Sequence, residues 1–357
     1  SFKPEDLKTC IQECFQNNEE VRNSVKKRIS SDNALEVLCR LPQNCRLFCL
    51  YVDFFASKKT IKGIDSLKLP ATTTELFERM IETVTAVESD ESNHEIFPSD
   101  HYDFSKGSKE VLEKLSCLAL EGIINERYVF RKEEFSQVEL SAFEVEILEE
   151  AGLLSRLRGF KLNRYCFSCL SLQEYFAASR IVQSSTTGDF RDFLEKANEN
   201  HCATLQFVAG LCKDGQKGKS TFVCLMQHLT QSIKLNNHFV DEPVVDNQAI
   251  AFLCKCIAEN PTKLGLPFAK EVTSSISPLR PIVFTEMGNN PLETQAVLFC
   301  LKEANGCNVK RVIFEGNCME DDGFRQVAAS LCHKSCKLDQ LSLTNSGVTD
   351  GDRKSTR

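Results

Sequence analysis

Residues 167–178 read Phe-Ser-Cys-Leu-Ser-Leu-Gln-Glu-Tyr-Phe-Ala-Ala, and this stretch constrains the chain more than any other. Its second half, continued to residue 182, sets Leu172, Tyr175, Phe176, Ile181 and Val182 at helical spacing. That spacing predicts a helix from Leu172 that buries one face. What precedes it is of another kind. Leu157 and residues 160–167 alternate as a small hairpin would, with its turn at Gly159. A helix predicted from Ser141 to Glu150 comes earlier, ended by Gly152, which can take the left-handed conformation of a helix stop. A short strand is expected at Tyr128–Phe130, and before it a helix carrying Val111, Leu112, Leu115, Leu118 and Ala119. Helices followed by a hairpin wing describe a winged helix over 105–183.

The flanking segments read as helices. Leu7, Ile11, Cys14 and Phe15 form one stripe, and Ala34, Leu35, Leu38 and Cys39 another. A third apolar helix follows Pro42, and Thr72 with Glu75 fits a capping box before Leu76, Met80 and Ile81. Residues 1–87 are therefore expected to form a helical domain. Residues 88–104 are polar and acidic and read as a linker. Residues 184–278 return to helical spacing, with Phe193, Leu205, Phe207 and Val208, then Phe222, Leu225, Leu229 and Ile233, then Ile250, Phe252, Leu253 and Ile257. A second helical domain, a bundle or solenoid, is expected there.

Residues 279–357 carry a repeat. Val312-x-Phe314-x-x-Asn317-x-Met319 lines up with Leu341-x-Leu343-x-x-Ser346-x-Val348 at an offset of 29 residues. Phe324, Val327, Ala328 and Leu331 supply a helix between them. The period falls in the leucine-rich-repeat range, where about three units are needed to bury a core. The fold class is thus mainly α, ending in the onset of an α/β leucine-rich-repeat solenoid. A start without Met and a repeat with no apolar finish both lead us to expect a piece of a larger protein.

Composition narrows the function classes. The net charge of −7 argues against a general nucleic-acid binder. No apolar run approaches the ~20 residues that cross a bilayer, and residues 1–9 lack the apolar core of a secretion signal. Eighteen Cys could mark a disulfide scaffold, but Cys10, Cys14, Cys39, Cys49, Cys117, Cys212, Cys254 and Cys300 fall at apolar helix positions. Reduced, core-packed cysteine in a cytoplasmic protein is the better reading.

Catalytic and metal motifs are weak. Gly218-Lys219-Ser220 lacks the glycine a phosphate loop needs five residues earlier, where Lys213 stands, and lacks the strand before it. We read it as an interhelical loop. Cys166 and Cys169 make a lone Cys-x-x-Cys without a second ligand pair, since Cys332, His333 and Cys336 are too far along the fold. The six histidines, at 94, 101, 201, 228, 238 and 333, pair with no acid or nucleophile at a motif spacing. The wing carries Arg156, Arg158, Lys161 and Arg164, as a DNA-binding wing would. The helix that would enter the groove carries Glu144, Glu146, Glu149 and Glu150, which would repel phosphate.

The run 167–178 resembles the segment F-x-H-L-S-F-Q-E-Y-F-A-A in the winged-helix module of NOD-like receptors, the NACHT-type nucleotide switches of innate immunity. At the family's histidine stands Cys169. Residues 34–49, Ala-Leu-Glu-Val-Leu-Cys-Arg-Leu-Pro-Gln-Asn-Cys-Arg-Leu-Phe-Cys, are similar to the family's L-C-x-x-P-x-x-C-x-L-x-C helix start. Residues 69–76 look like its P-x-T-x-T-x-L helix entry. The resemblance implies the order helical domain, winged helix, second helical domain, repeats, all C-terminal to a nucleotide-binding core. It implies that Pro42 packs on the adenine ring of ADP or ATP, a role its flat, N–H-free ring suits. A proline at the first helical position would also sit there for its own sake. It implies that position 169 faces the β-phosphate, where a thiol is a poor donor without positive charge. Gln173 and Glu174 are read as helix-capping and interdomain contacts. Mg²⁺ and the phosphate loop would belong to the core outside this chain. The chain alone is expected to need no cofactor and to be no enzyme, the full-length protein at most a slow ATPase. The implied partners are its own nucleotide-binding domain, adaptor or effector proteins, and further copies on activation. Two other readings stand beside this one: a nucleotide-independent helical and repeat scaffold, and a DNA-binding winged helix.

Overall fold

The computed structural model describes residues 4–16, 18–31, 35–36, 39–40, 42–57, 70, 72–86, 104–157, 164–184, 186–212, 216–238, 247–260, 282–285, 311–315 and 339–344. These are mainly helical. The chain divides into two compact units, residues 2–211 and 212–357.

The first unit begins with helices α1 (Pro4–Cys14), α2 (Glu19–Ser31), α3 (Pro42–Ser57) and α4 (Thr73–Ala86). The stripe of α1, continued to Phe15 just after it, is Leu7, Cys10, Ile11 and Phe15, all buried, whereas Cys14 faces solvent. Cys10 takes the place expected of Cys14. Leu35 and Cys39 are buried as expected, while Ala34 and Leu38 lie outside the described residues. The start of α4 is capped as its sequence predicts, the Glu75 amide donating to Thr72 Oγ1 at 3.1 Å. Its buried face adds Phe77 to Leu76 and Met80, and Ile81 is only half-buried.

Next come α5 (Phe104–Ile124), β1 (Phe130–Arg131), α6 (Lys132–Gln137), α7 (Ala142–Glu150), β2 (Leu154–Arg156), β3 (Arg164–Phe167) and α8 (Leu170–Ser184). The strands form an antiparallel sheet in the order β1-β3-β2. The hairpin pairs Leu154 with Phe167 and Arg156 with Tyr165; its expected turn at Gly159 lies outside the described residues. The strand expected at Tyr128–Phe130 is displaced: Tyr128 and Val129 stand exposed before it, and pairing starts at Phe130 against Tyr165. Helix α7 carries the expected glycine stop and, at its start, a capping box beyond what was expected. Ser141 Oγ accepts from the Glu144 amide while the Glu144 carboxylate accepts from the Ser141 amide, a capping box. At the other end Gly152 has φ of 71°, its N–H donates to Glu149 O, and Leu153 N–H donates to Leu148 O. That pair of bonds is a Schellman stop, which requires a residue at positive φ.

Helix α8 starts two residues before the predicted Leu172 and packs most extensively on α5 and on α10 (Cys202–Leu211). Between α8 and α10 lie α9 (Thr187–Lys196) and a short 3₁₀ turn (Glu199–His201). Tyr175 of α8 stacks on Phe77 of α4 with ring centroids 5.7 Å apart and meets Phe207 of α10 edge-on at 5.6 Å. Phe176 continues the ring contacts to Phe167 of β3, which meets Phe130 of β1. One aromatic seam therefore joins α4, α8, α10 and the sheet.

The second unit holds α11 (Gln216–His238), α12 (Asn247–Glu259), β4 (Ile282–Thr285), β5 (Arg311–Glu315) and β6 (Gln340–Thr344). Phe222, Leu225, Leu253 and Ile257 of its helices are buried. Gly218-Lys219-Ser220 lies within the first turns of α11, not in an interhelical loop, and Ser220 Oγ bonds back to Lys217 O at 2.8 Å. The strands are parallel in the order β4-β5-β6. Val312 pairs with Leu341 and Phe314 with Leu343, the two repeat phases read from the sequence. β4 is a further strand that the repeat reading missed, Ile282 pairing with Val312 one residue outside the 29-residue offset. The helix expected around Phe324–Leu331 lies outside the described residues.

Candidate functional site

The four residues singled out by sequence occupy two helix starts in the first unit. Pro42 opens α3 and is exposed. At the first helical position it costs no hydrogen bond, because that N–H would have no partner inside the helix. Cys169 stands just ahead of α8, half-buried, and its carbonyl accepts from the Leu172 and Gln173 amides at 3.2 and 3.5 Å. Its thiol is pushed up by burial, against the pull of the Leu172 and Ser171 amides that donate to it. The side chain thus uses the free amides of the α8 N-terminus and stays a neutral thiol. It brings no positive charge to a phosphate.

Gln173 and Glu174 lie in the first turns of α8, and both are buried. Gln173 Nε2 donates to the backbone carbonyl of Arg127 at 2.9 Å. That carbonyl belongs to the turn that leaves α5, where the Arg127 amide donates to Gly122 O at 2.7 Å. A Cβ on Gly122 would stand 2.5 Å from Gln173 Nε2 and 2.7 Å from the Phe130 ring, so only glycine lets α8 and this turn come so close. The Arg127 guanidinium pairs with Glu121 at 2.7 Å and with Glu134, and lies 6.0 Å from the Phe130 ring centre. The bond made by Gln173 therefore falls within 105–183, tying α8 to the end of α5. Sequence reasoning did not find Arg127 or Gly122; the only signal was a Gly near the end of a helix, which reads as an ordinary stop.

The Glu174 carboxyl is pushed up to about 7 by burial, partly offset by a hydrogen bond from Ser171. Its charge also raises the neighbouring Cys169 thiol. Cys169, Ser171 and Glu174 thus form one small polar group at the head of α8. At neutral pH the carboxyl is poised between a charged acceptor and a neutral donor.

Three of the remaining sequence candidates, Cys166, His201 and Glu144, have structural partners. Cys166 Sγ donates to Ser155 O across the hairpin at 3.7 Å. Among the described residues no group of three or more potential metal ligands is arranged to hold an ion. Cys332, His333, Cys336, Arg158 and Lys161 lie outside the described residues. His201 is buried and accepts the Asn198 amide at Nδ1. Of the four α7 carboxylates, Glu144 is turned inward to Ser141 and to Lys114 Nζ at 3.1 Å, whereas Glu146 and Glu150 are exposed. The acidic face is therefore smaller than its sequence indicates. Among the described residues no helix is long and apolar enough to cross a membrane.

Comparison with known proteins gives the same direction as the 167–178 run. The chain is 26% identical over 201 residues to Protein NLRC3 of Mus musculus, covering 54% of this chain and 18% of that protein. It is 26% identical over 203 residues to NLR family CARD domain-containing protein 3 of Homo sapiens, with the same coverage. It is 26% identical over 182 residues to NACHT, LRR and PYD domains-containing protein 10 of Mus musculus, covering 50% of this chain and 24% of the relative. Each match spans less than a quarter of the relative's length. No protein-family model matches.

Proposed function

We propose that this chain is the regulatory region of a NOD-like innate immune receptor, C-terminal to a nucleotide-binding core and leading into leucine-rich repeats. The carrying observation is the similarity of about half the chain to proteins named for NLR, NACHT and LRR content, together with the 167–178 run. The antiparallel sheet β1-β3-β2 set between α5 and α8 supports a winged helix, and the parallel strands β4-β5-β6 support the onset of a repeat solenoid. The domain limits 1–87, 105–183, 184–278 and 279–357 are part of this proposal, as is a cytoplasmic location.

In this reading the region closes over ADP bound to the core and swings away when ATP replaces it. The aromatic seam supports movement as one body, because Phe77, Tyr175 and Phe207 lock α4, α8 and α10 together. The difference in ADP and ATP affinity for the two arrangements sets the switch. Pro42, exposed at the head of α3, is free to cover an adenine ring. Cys169 replaces a charged donor with a neutral thiol, so the phosphate contact is weak and the closed state lightly held. The freed surface then recruits further copies and adaptor or effector proteins.

The test is calorimetric titration of ADP into the longer protein that contains the core. One bound nucleotide is expected. Cys169→His should tighten ADP binding about tenfold by supplying a charge-assisted donor. No nucleotide binding by the longer protein would remove the switch reading. A second reading, a scaffold that ignores nucleotide, is favoured by Cys169 itself; it requires ADP affinity to be unmoved by Cys169→His.

A further inference from the structure

α1 and α3 pack face to face, and the seam between them is lined with sulfur. Cys10 of α1, Cys45 and Cys49 of α3, and Cys39 just ahead of α3 are all buried. The Cys45 thiol is within hydrogen-bonding reach of the other three. Cys14 lies one turn beyond Cys10 and is exposed, with its thiol within reach of both Cys10 and Cys49. All five are free thiols. The cluster thus runs from solvent at Cys14 into the core at Cys39.

Adjacent thiols that do not converge on a metal geometry still have one chemistry of their own, oxidation to a disulfide. The order of events follows from access. Hydrogen bonding to Cys45 and burial hold Cys39 and Cys49 above the ordinary thiol range, and burial chiefly pushes Cys10 up to about 12. These stay protonated, and Cys45, held down to about 4 by the hydrogen bonds from Cys39, Cys49 and Cys10, is fully buried among them, so an oxidant in solution meets Cys14 first.

We propose that Cys14 and Cys49 form an oxidative modification site, in which a peroxide converts the pair to a disulfide that staples α1 to α3. The Cys14 sulfur takes an oxygen from peroxide and becomes a sulfenic acid, and one water is released. The Cys49 sulfur then attacks the Cys14 sulfur. The S–S bond forms, the S–O bond breaks, and the departing hydroxyl takes the Cys49 proton to leave as a second water. Two thiols are oxidised by two electrons in all and one peroxide is reduced. Cys10 is a poorer partner for Cys14 because the two sit one turn apart on the same helix, where side chains run side by side along the axis. Cys49 approaches from the facing helix. The inference does not depend on the nucleotide reading.

The test treats the reduced full chain with hydrogen peroxide, blocks residual thiols with N-ethylmaleimide and maps the non-reduced digest by mass spectrometry. The expected result is the loss of two free thiols, a mass decrease of about 2 Da, and one linked peptide pair holding Cys14 and Cys49. Dithiothreitol should reverse it. Cys14→Ser changes an exposed side chain, should fold with an unaltered melting temperature, and should abolish the link. A link that survives in Cys14→Ser overturns the proposal. So does pairing of Cys14 with Cys10 or any other cysteine, or oxidation that stops at Cys14 sulfinic acid, or an unchanged thiol count in excess peroxide.

Discussion

Gln173 and Glu174 are neighbours in the chain, yet burial sets them opposite problems. Gln173 answers it with the Arg127 carbonyl, a partner 46 residues away. Removing the amide in Gln173→Leu leaves that carbonyl without its donor and should cost about 1–3 kcal/mol, read as a lower midpoint in urea unfolding. Glu174 answers it by holding its proton. Its folded pKa of about 7 lies above the ordinary 4.5, so the folded protein binds the proton more tightly than the unfolded chain. Stability from this group therefore falls as pH rises from about 4.5 to about 7, and the full penalty, of order 3 kcal/mol, applies above that. Glu174→Gln should melt with the parent at pH 4.5 and increasingly above it toward pH 8, where the gap levels off. A gap that is the same at every pH would show that the carboxyl is not the cause. The sequence marked both residues as part of a special run, but a buried amide's acceptor cannot be read from spacing, because it depends on how α5 and α8 meet.

Elements were legible where their signals were local. Gly152 stops α7 as its type predicts, and Ser141, expected as the first helical residue, is instead its cap, paired with Glu144. Ser141→Ala should therefore cost about 1 kcal/mol through the lost cap, measured by thermal melting. Replacing Gly152 by Val should cost more, since a β-branched residue resists positive φ. The elements that misled the sequence reading are those whose identity comes from a partner. Tyr128 and Val129 have good strand propensity, and β3 runs on through Cys166 and Phe167, yet the ladder to β1 begins only at Phe130. Four residues, Ile282–Thr285, become a strand because β5 supplies the neighbouring ladder. Their β-branched run was a signal, but too short to separate from an apolar turn without that neighbour.

At the scale of the first unit, the segments read as separate domains share a hydrophobic core. Tyr175 contacts Phe77 from the segment before the acidic linker and Phe207 from the segment after α8, and Phe77 and Phe207 meet directly at 5.1 Å. Three rings in mutual contact cannot be replaced independently. Phe77→Ala and Phe207→Ala should each cost about 3–5 kcal/mol, because each opens a cavity in a closed core. The double variant should lose less than the sum, by about 0.5–1.5 kcal/mol, the size of an aromatic pair's own coupling. Additive losses would mean that α4 and α10 each pack on α8 alone. Coupling has a consequence for motion: a nucleotide-driven rearrangement could not part α4 from α10 without exposing three rings at once. Hydrogen exchange on the same chain separates the cases. Amides of α4, α8 and α10 should open at one common free energy, and Phe207→Ala should lower that value in all three helices and not in α10 only.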